Sequence, residues 1–184
     1  MCAAQLGVRR TAMDVFVVAY DATWQEKFSR EANEVRRALG ATAIRIHHIG
    51  STSIVGMYAK PIIDMLLEVE TLERLEASQE ALVALGYQPM GEFGIPGRRH
   101  YRKCNAAGIR EFHLHAYTLG SLHTERHLAF RDFVRLNEHL VAEYSELKRR
   151  LAVEHAHSIE EYQNGKEAFI RAVERKALQW RRSA

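Results

Sequence analysis

Cysteine is almost missing from this chain. Cys2 and Cys104 are the only two in 184 residues, and Cys2 stands in the N-terminal tail. That count excludes a disulfide framework and a thiolate zinc site, and it suits a reducing compartment. Long apolar runs are missing as well: no segment reaches the ~18 uncharged residues needed to span a bilayer. The first dozen residues, with Arg9 and Arg10, lack an apolar stretch of signal-peptide length, so neither export nor a membrane partner is expected and the location is read as cytoplasmic. An excess of charge is the third absence, because 26 basic against 23 acidic residues leave +3, which gives no strong nucleic-acid signal. No repeat, low-complexity tract or linker divides the chain. Its 47% hydrophobic content can build a core without disulfides, so 1–184 is read as a single domain whose residues 1–13 are expected to be disordered.

Apolar periodicity supplies the elements. Val15 to Val18 reads as an edge strand, and Asp21 is placed to cap a helix carrying Trp24, Phe28, Val35 and Leu39, which Gly40 stops. Thr42 to Ile49 reads as a strand that delivers Gly50-Ser51-Thr52-Ser53 to a short helix, and Pro61 opens the next strand. That strand has an all-apolar face of Ile63, Met65, Leu67 and Val69, and a face of Ile62, Asp64, Leu66 and Glu68. A helix capped by Thr71 and ending at Gly86, with Leu72, Leu75, Leu82 and Leu85 in its stripe, is the expected cover for the apolar face. Gly91, Gly94, Pro96 and Gly97 form a loop, followed by Arg98, Arg99, Arg102 and Lys103 on a hairpin. Glu111 to Tyr117 alternates as a strand with His113 and His115 on its polar face, and from Ser121 onward the chain is helical, the last helix opening on a Ser158/Glu161 capping pattern.

The chemistry concentrates between His48 and Val69. Gly50, Ser51 and Thr52 offer backbone and hydroxyl donors to a phosphate, although the same residues also make an ordinary helix cap. Asp64 lies in an apolar strand, where a carboxylate is costly unless a cation, a donor cluster or water meets it; it is the candidate catalytic acid and metal ligand. Magnesium-dependent phosphoryl and nucleotidyl transfer needs a second acid on the same face, and Leu66 stands there. Glu68 is a further ~6.6 Å along the strand from Leu66, too far to share an ion with Asp64.

His113 and His115 offer another solution, since two imidazoles with Asp64 would suit zinc, manganese or iron if the two strands were neighbours. Half-exposed histidines bonded to water or a carboxylate are the plainer alternative. Lys60, Arg102 and Arg131 are candidates to neutralise phosphate. Lys148 and Lys166 flank apolar stripes and can point across a cleft or make surface ion pairs, and Tyr162 stands one turn from Lys166. His123 and His127 are also one turn apart, without the glutamate of a zinc protease, and are read as surface residues.

Five segments together resemble the GrpB-like family, assigned by fold to the nucleotidyltransferase superfamily: His48–Ser53, Lys60–Asp64, Phe112–His115, Phe130–Asp132 and Tyr162–Lys166. The resemblance runs from about Val18 to Trp180. It implies an α+β fold, a nucleotidyltransferase-like mixed sheet with helices on one side and a helical C-terminal part. Gly50, Ser51 and Asp64 fall at the Gly-Ser and first-acid positions of such enzymes, Leu66 at the second acid, and histidines where a third acid is expected. The implied function is binding of a nucleotide or phosphorylated small molecule with a divalent metal, magnesium or a transition metal. Whether nucleotidyl transfer survives the incomplete carboxylate set is left open. A non-catalytic nucleotide-binding accessory module is the alternative, linked to coenzyme A synthesis because related domains occur fused to dephospho-coenzyme A kinase. A transition-metal hydrolase is the third reading.

Overall fold

The structure, a computed structural model, describes residues 15–183; the tail expected to be disordered lies outside the described residues. Helix α1 (Thr23–Leu39) begins where Asp21 Oδ1 accepts the Thr23 amide at 2.8 Å, and it buries Trp24, Ala32, Val35 and Leu39. Gly40 ends it at φ +54°, and residues 40–42 continue as a 3-10 turn, so strand β1 (Arg45–Ile49) starts three residues later than the alternation suggests. Strand β2 (Ile63–Val69) follows.

The cover expected after Thr71 is two short helices, α2 (Leu72–Ala77) and α3 (Gln79–Ala84). They part at Ser78, which leaves helical geometry at φ −101°, ψ 7° and donates its hydroxyl to the Arg74 carbonyl. Such local side-chain bonding competes with the helix ladder. Strands β3 (Tyr87–Pro89), β4 (Arg99–Cys104) and β5 (Arg110–Thr118) precede helices α4 (Leu122–Arg135), α5 (Glu138–Glu154) and α6 (Ile159–Ser183). The Ser121 and Ser158 hydroxyls cap α4 and α6 as their patterns imply. No helix among the described residues is long and apolar enough to cross a membrane.

The five strands order as β1-β2-β5-β4-β3, with β2 and β5 parallel and the other neighbours antiparallel. The expected edge strand at Val15–Val18 is absent. Only Val18 pairs, as an isolated bridge to Ala59, while Val15 packs with Leu151, Ala152 and Tyr162 and so fastens the segment to α5 and α6. One sheet face, with Ile63, Met65, Leu67, Val69, Leu114 and Ala116, is covered by Trp24, Val35, Leu75 and Leu82 of α1–α3. On the other face Leu66 packs with Ile49 and Tyr117 beneath Leu128 of α4. Each such buried aliphatic contributes about 1.5–3 kcal/mol relative to exposure.

The helical half forms its own core of Val134, Leu140, Tyr144 and Val173, and it closes on Ile54 and Met57 from the β1–β2 connection. Three polar ties reinforce that grip. Arg131 Nη1 donates to the His48 carbonyl at 3.0 Å, Arg135 Nη2 to the Ser53 carbonyl at 2.6 Å, and the Tyr58 amide to Ser145 Oγ at 3.1 Å. The turn between β1 and β2 is therefore held from both halves.

Gly50 opens that turn at φ +68°, ψ −173°, a conformation reserved for glycine, and a Cβ there would stand 2.5 Å from Asp64 Oδ2. Gly56 shares a positive φ of +77° but faces only Val141 Cγ1 at 3.9 Å. Gly50→Ala is expected to cost about 1–3 kcal/mol in backbone strain, plus the displacement of Asp64, and to lower the thermal midpoint more than Gly56→Ala. Equal losses in thermal denaturation would show that the close approach to Asp64 is unimportant.

Candidate functional site

Strand register brings the candidate residues together. Asp64 pairs with Ile49 on one side and His113 on the other, and Leu66 pairs with His115. Because β2 and β5 share one pleat, Asp64, His113 and His115 rise from the same face. His113 Nδ1 lies 3.0 Å and His115 Nε2 3.7 Å from Asp64 Oδ1, and the three residues offer ligand atoms all within 4.8 Å of one another. Burial opposes ionisation of Asp64, but the hydrogen bond from His113, the nearby His115 ring and the attraction of both imidazoles outweigh it, holding the carboxyl far below the usual carboxylate range.

Arg98 braces this group from behind. Its Nη1 is 3.3 Å from His115 Nδ1, while Nε and Nη2 donate to the Glu92 and Phe93 carbonyls at 3.1 and 2.7 Å. A guanidinium only donates, so His115 Nδ1 accepts and the ring proton sits on Nε2, towards Asp64. His113 Nε2 is buried with no hydrogen-bond partner among the described residues, an orphan that a water or ion would satisfy. One carboxylate oxygen with two imidazoles on one face fits a transition-metal ion better than magnesium. An ion at His115 Nε2 would replace the proton there and cost the ring its Arg98 bond, since Nδ1 would then carry the hydrogen. His100 and His127 flank His115 at ring separations of 4.8 and 6.1 Å. Burial first, then neighbouring positive charge, pushes both down to about 3, so they stay neutral.

This cluster forms one wall of a cleft of about 410 Å³. Gly50, Ser51, Thr52 and Lys60 also line it from the sheet side, and Tyr144 and Lys148 of α5 and Tyr162 and Lys166 of α6 close it opposite. Lys148 is 2% exposed, its Nζ 3.0 Å from Ser51 Oγ and 4.4 Å from the Tyr144 ring centroid. Burial, aided by Lys166, pushes it down to about 6. Lys166 Nζ lies 4.3 Å over the Tyr162 ring; burial and Lys60 push it down to about 7, against a smaller opposing pull from Asp64. Lys60 is lowered too, mainly by burial. Neither Lys148 nor Lys166 pairs with a carboxylate among the described residues.

Of the residues singled out from the sequence, Gly50, Ser51, Thr52, Lys60, Asp64, His113 and His115 meet at this cleft, and Arg102 and Arg131 do not. Arg102 lies over the Phe93 ring at 4.3 Å, and Arg131 is spent on the His48 carbonyl and Asp132. The Thr52 hydroxyl is already bonded to His48 Nε2 at 3.0 Å; buried His48 is pushed down to about 4. The helix expected to open at Gly50 is a single 3-10 turn over Ser51–Ser53, too short for a helix dipole. The groups that can become cationic here are instead the lysines. Glu68 faces His47 at 2.7 Å, away from Asp64. The surface reading of His127 fails, because the turn of α4 that follows Thr124 brings its ring over His115 and into the cleft wall. Lys148 and Lys166 were signalled by flanking apolar stripes, Tyr162 by standing one turn from Lys166, and Arg98 as one of the basic cluster after the glycine-rich loop; Tyr144 stood out only as a packing position.

The family model described as "GrpB protein" matches residues 14–176. YqkA of Bacillus subtilis is 42% identical over 168 residues, 91% of this chain and 48% of that protein, so the chain spans about half the length of this relative. A 74-residue stretch is 36% identical to dephospho-CoA kinase of Mycobacterium tuberculosis, covering 39% of this chain and 18% of the kinase. Among solved structures, the conserved protein GrpB from Enterococcus faecalis superposes with a TM-score of 0.84 at 39% identity, covering 89% of this chain and 98% of that one. The Cid1 poly(U) polymerase superposes with a TM-score of 0.50 at 12% identity, covering 76% and 43%, a likeness of fold alone. With a match that runs through all five strands and most of the helical half, on a nucleotidyltransferase-like α+β scaffold, the chain belongs to the GrpB family.

Proposed function

We propose that the cleft binds a nucleotide or another phosphorylated small molecule together with a divalent metal, in the manner of a nucleotidyltransferase. Asp64, His113 and His115 would hold the metal, and Ser51, Lys60, Lys148 and Lys166 the phosphates. One observation carries this reading: three lysines, two of them almost fully buried, converge with a single carboxylate on one cleft. Burying an amine without a counter-charge is costly, and an anion that returns the ammonium form removes that cost. The shared fold supports a nucleotide as the anion, since the Cid1 structure holds MgATP.

A bound ion would supply positive charge to a phosphate oxygen. The chain's own residues do the remaining work: Ser51 and the lysines orient the phosphates, and Tyr144 and Tyr162 wall off water. A second metal-binding acid has no room, because Leu66 is fully buried between Ile49 and Tyr117. The chemistry this supports is single-ion binding, with transfer or simple retention of the ligand as the two outcomes to be distinguished.

Calorimetry with ATP and manganese or zinc should give binding that weakens at least ~10-fold in Lys148→Met and Lys166→Met, and Asp64→Asn should lose the metal by elemental analysis. Labelled nucleotide with candidate acceptors then separates transfer from retention. Absence of affinity for any nucleotide, with or without metal, would sink the proposal.

The lysines also set a pH dependence. Both are free bases above their midpoints of about 6 and about 7 in the empty cleft, whereas an anion favours the ammonium, so binding takes up protons. Sulfate, which does not titrate in this range, should bind most tightly below pH 6. Its affinity should fall from pH 6 to 9, approaching ~10-fold per pH unit for each lysine that must be protonated. A flat profile would mean that the amines stay charged without ligand.

A further inference from the structure

The contact between Ser51 and Lys148 has a chemistry of its own. Lys148 Nζ lies 3.0 Å from Ser51 Oγ, within the reach expected of a nucleophile and its base. The amine is buried and has no carboxylate partner among the described residues. Ser51 stands at the start of the 3-10 turn, lining the cleft, and that turn is fixed by Arg135 on the Ser53 carbonyl and by Ser53 Oγ on the Gly50 carbonyl at 2.6 Å. A fixed hydroxyl facing an open cleft beside a desolvated amine differs from an ordinary turn cap: among the described residues Ser51 Oγ bonds to Lys148 across the cleft rather than to its own turn.

We infer that Ser51 and Lys148 form a serine–lysine dyad, with Ser51 Oγ as nucleophile and Lys148 Nζ as general base, acting on acyl esters or thioesters that carry an anionic group. In the first step the Ser51 hydroxyl gives its proton to Lys148 as Oγ bonds to the carbonyl carbon. The leaving alkoxide or thiolate then departs with that proton, leaving an ester on Ser51. Water, deprotonated by Lys148, attacks the ester; the carboxylic acid leaves and Ser51 regains its hydrogen. Lys60 and Lys166, which line the same cleft, receive the anionic group. The depressed basicity of Lys148 agrees with this role, because an amine with a midpoint of about 6 is free to accept a proton at neutral pH. No metal enters the step, so the dyad stands or falls independently of the nucleotide reading.

A fluorophosphonate probe tests it in the full-length protein with EDTA present. The probe phosphonylates an activated serine with loss of fluoride. Intact mass and peptide mapping should show one adduct, on Ser51, absent in Ser51→Ala and retained in Ser29→Ala, a change on the exposed face of α1. Its rate should rise through a midpoint near 6 and level off by about pH 8, as Lys148 loses its proton. The other titratable or charged groups lining the cleft are Lys60, Asp64, Arg98, His113, His115 and His127 on the sheet and α4 side, Tyr144 beside Lys148 on α5, and Tyr162 and Lys166 on α6. Lys166→Met, which removes the charge that helps depress Lys148, should move the midpoint upward. Lys148→Met should lower the rate ~10²-fold; Lys148→Arg, which keeps a cation but offers no free base, serves if the methionine variant does not fold. No adduct on Ser51, or an unchanged rate in a folded Lys148 variant, overturns the assignment.

Discussion

An ionised carboxylate near the start of an otherwise buried strand is the constraint around which this molecule is arranged. Asp64 sits between Ile63 and Met65, both almost fully buried, and a carboxylate there without partners would cost several kcal/mol. Its surroundings answer that cost in order. Gly50 omits the Cβ that would collide with Oδ2, His113 arrives through the parallel β2–β5 pairing, and His115 arrives two residues on. Arg98 then orders His115, and through its carbonyl contacts ties the glycine-rich loop to the same point. The turn that supplies Gly50 is clamped by Arg131 and Arg135 of α4, so the carboxylate's accommodation also fastens the helical half to the sheet.

The electrostatics of the cleft follow from depth rather than from residue count. Burial strips charge from His48, His100 and His127 and draws Lys148 and Lys166 down to the neutral range. Asp64 moves the other way, because its histidine contacts outweigh its desolvation. The empty cleft thus holds less positive charge than three lysines and five nearby histidines suggest, and a large reserve of basic nitrogen. A polyanion that reaches Lys148 can recruit a proton to it, while a ligand whose charge is met by Lys60 and Lys166 leaves Lys148 as a base beside Ser51. Both behaviours rest on the same desolvated amine.

Local pattern made much of the scaffold legible. The polar and apolar faces of β2 and β5, the caps at Thr71, Ser121 and Ser158, and the stop at Gly40 each depend on residues close in sequence, and each is present. The errors fell where a distant contact or a single side chain overruled the local pattern. Val15 was drawn to Leu151 and Tyr162 rather than into the sheet, and Ser78 cut one amphipathic stripe into two helices.

The sequence by itself determined which residues carry unusual chemistry: a glycine before hydroxyls, an acid in an apolar strand, two histidines on one face, and a missing second acid. It also determined the order of helices and strands, because periodicities are local properties of the chain, whereas the fold class came from the family resemblance of five segments. Tertiary structure alone decided the partners. Only the β2–β5 register sets Asp64 beside His113, only the packing of α5 and α6 over the sheet carries Lys148 to Ser51 across 97 positions and sinks Lys166 nearby, and only the contact of α4 with β1 leaves Arg131 clamping a carbonyl outside the cleft. Side-chain type is written residue by residue, whereas distance, burial and protonation are set by which remote segments exclude water from one another.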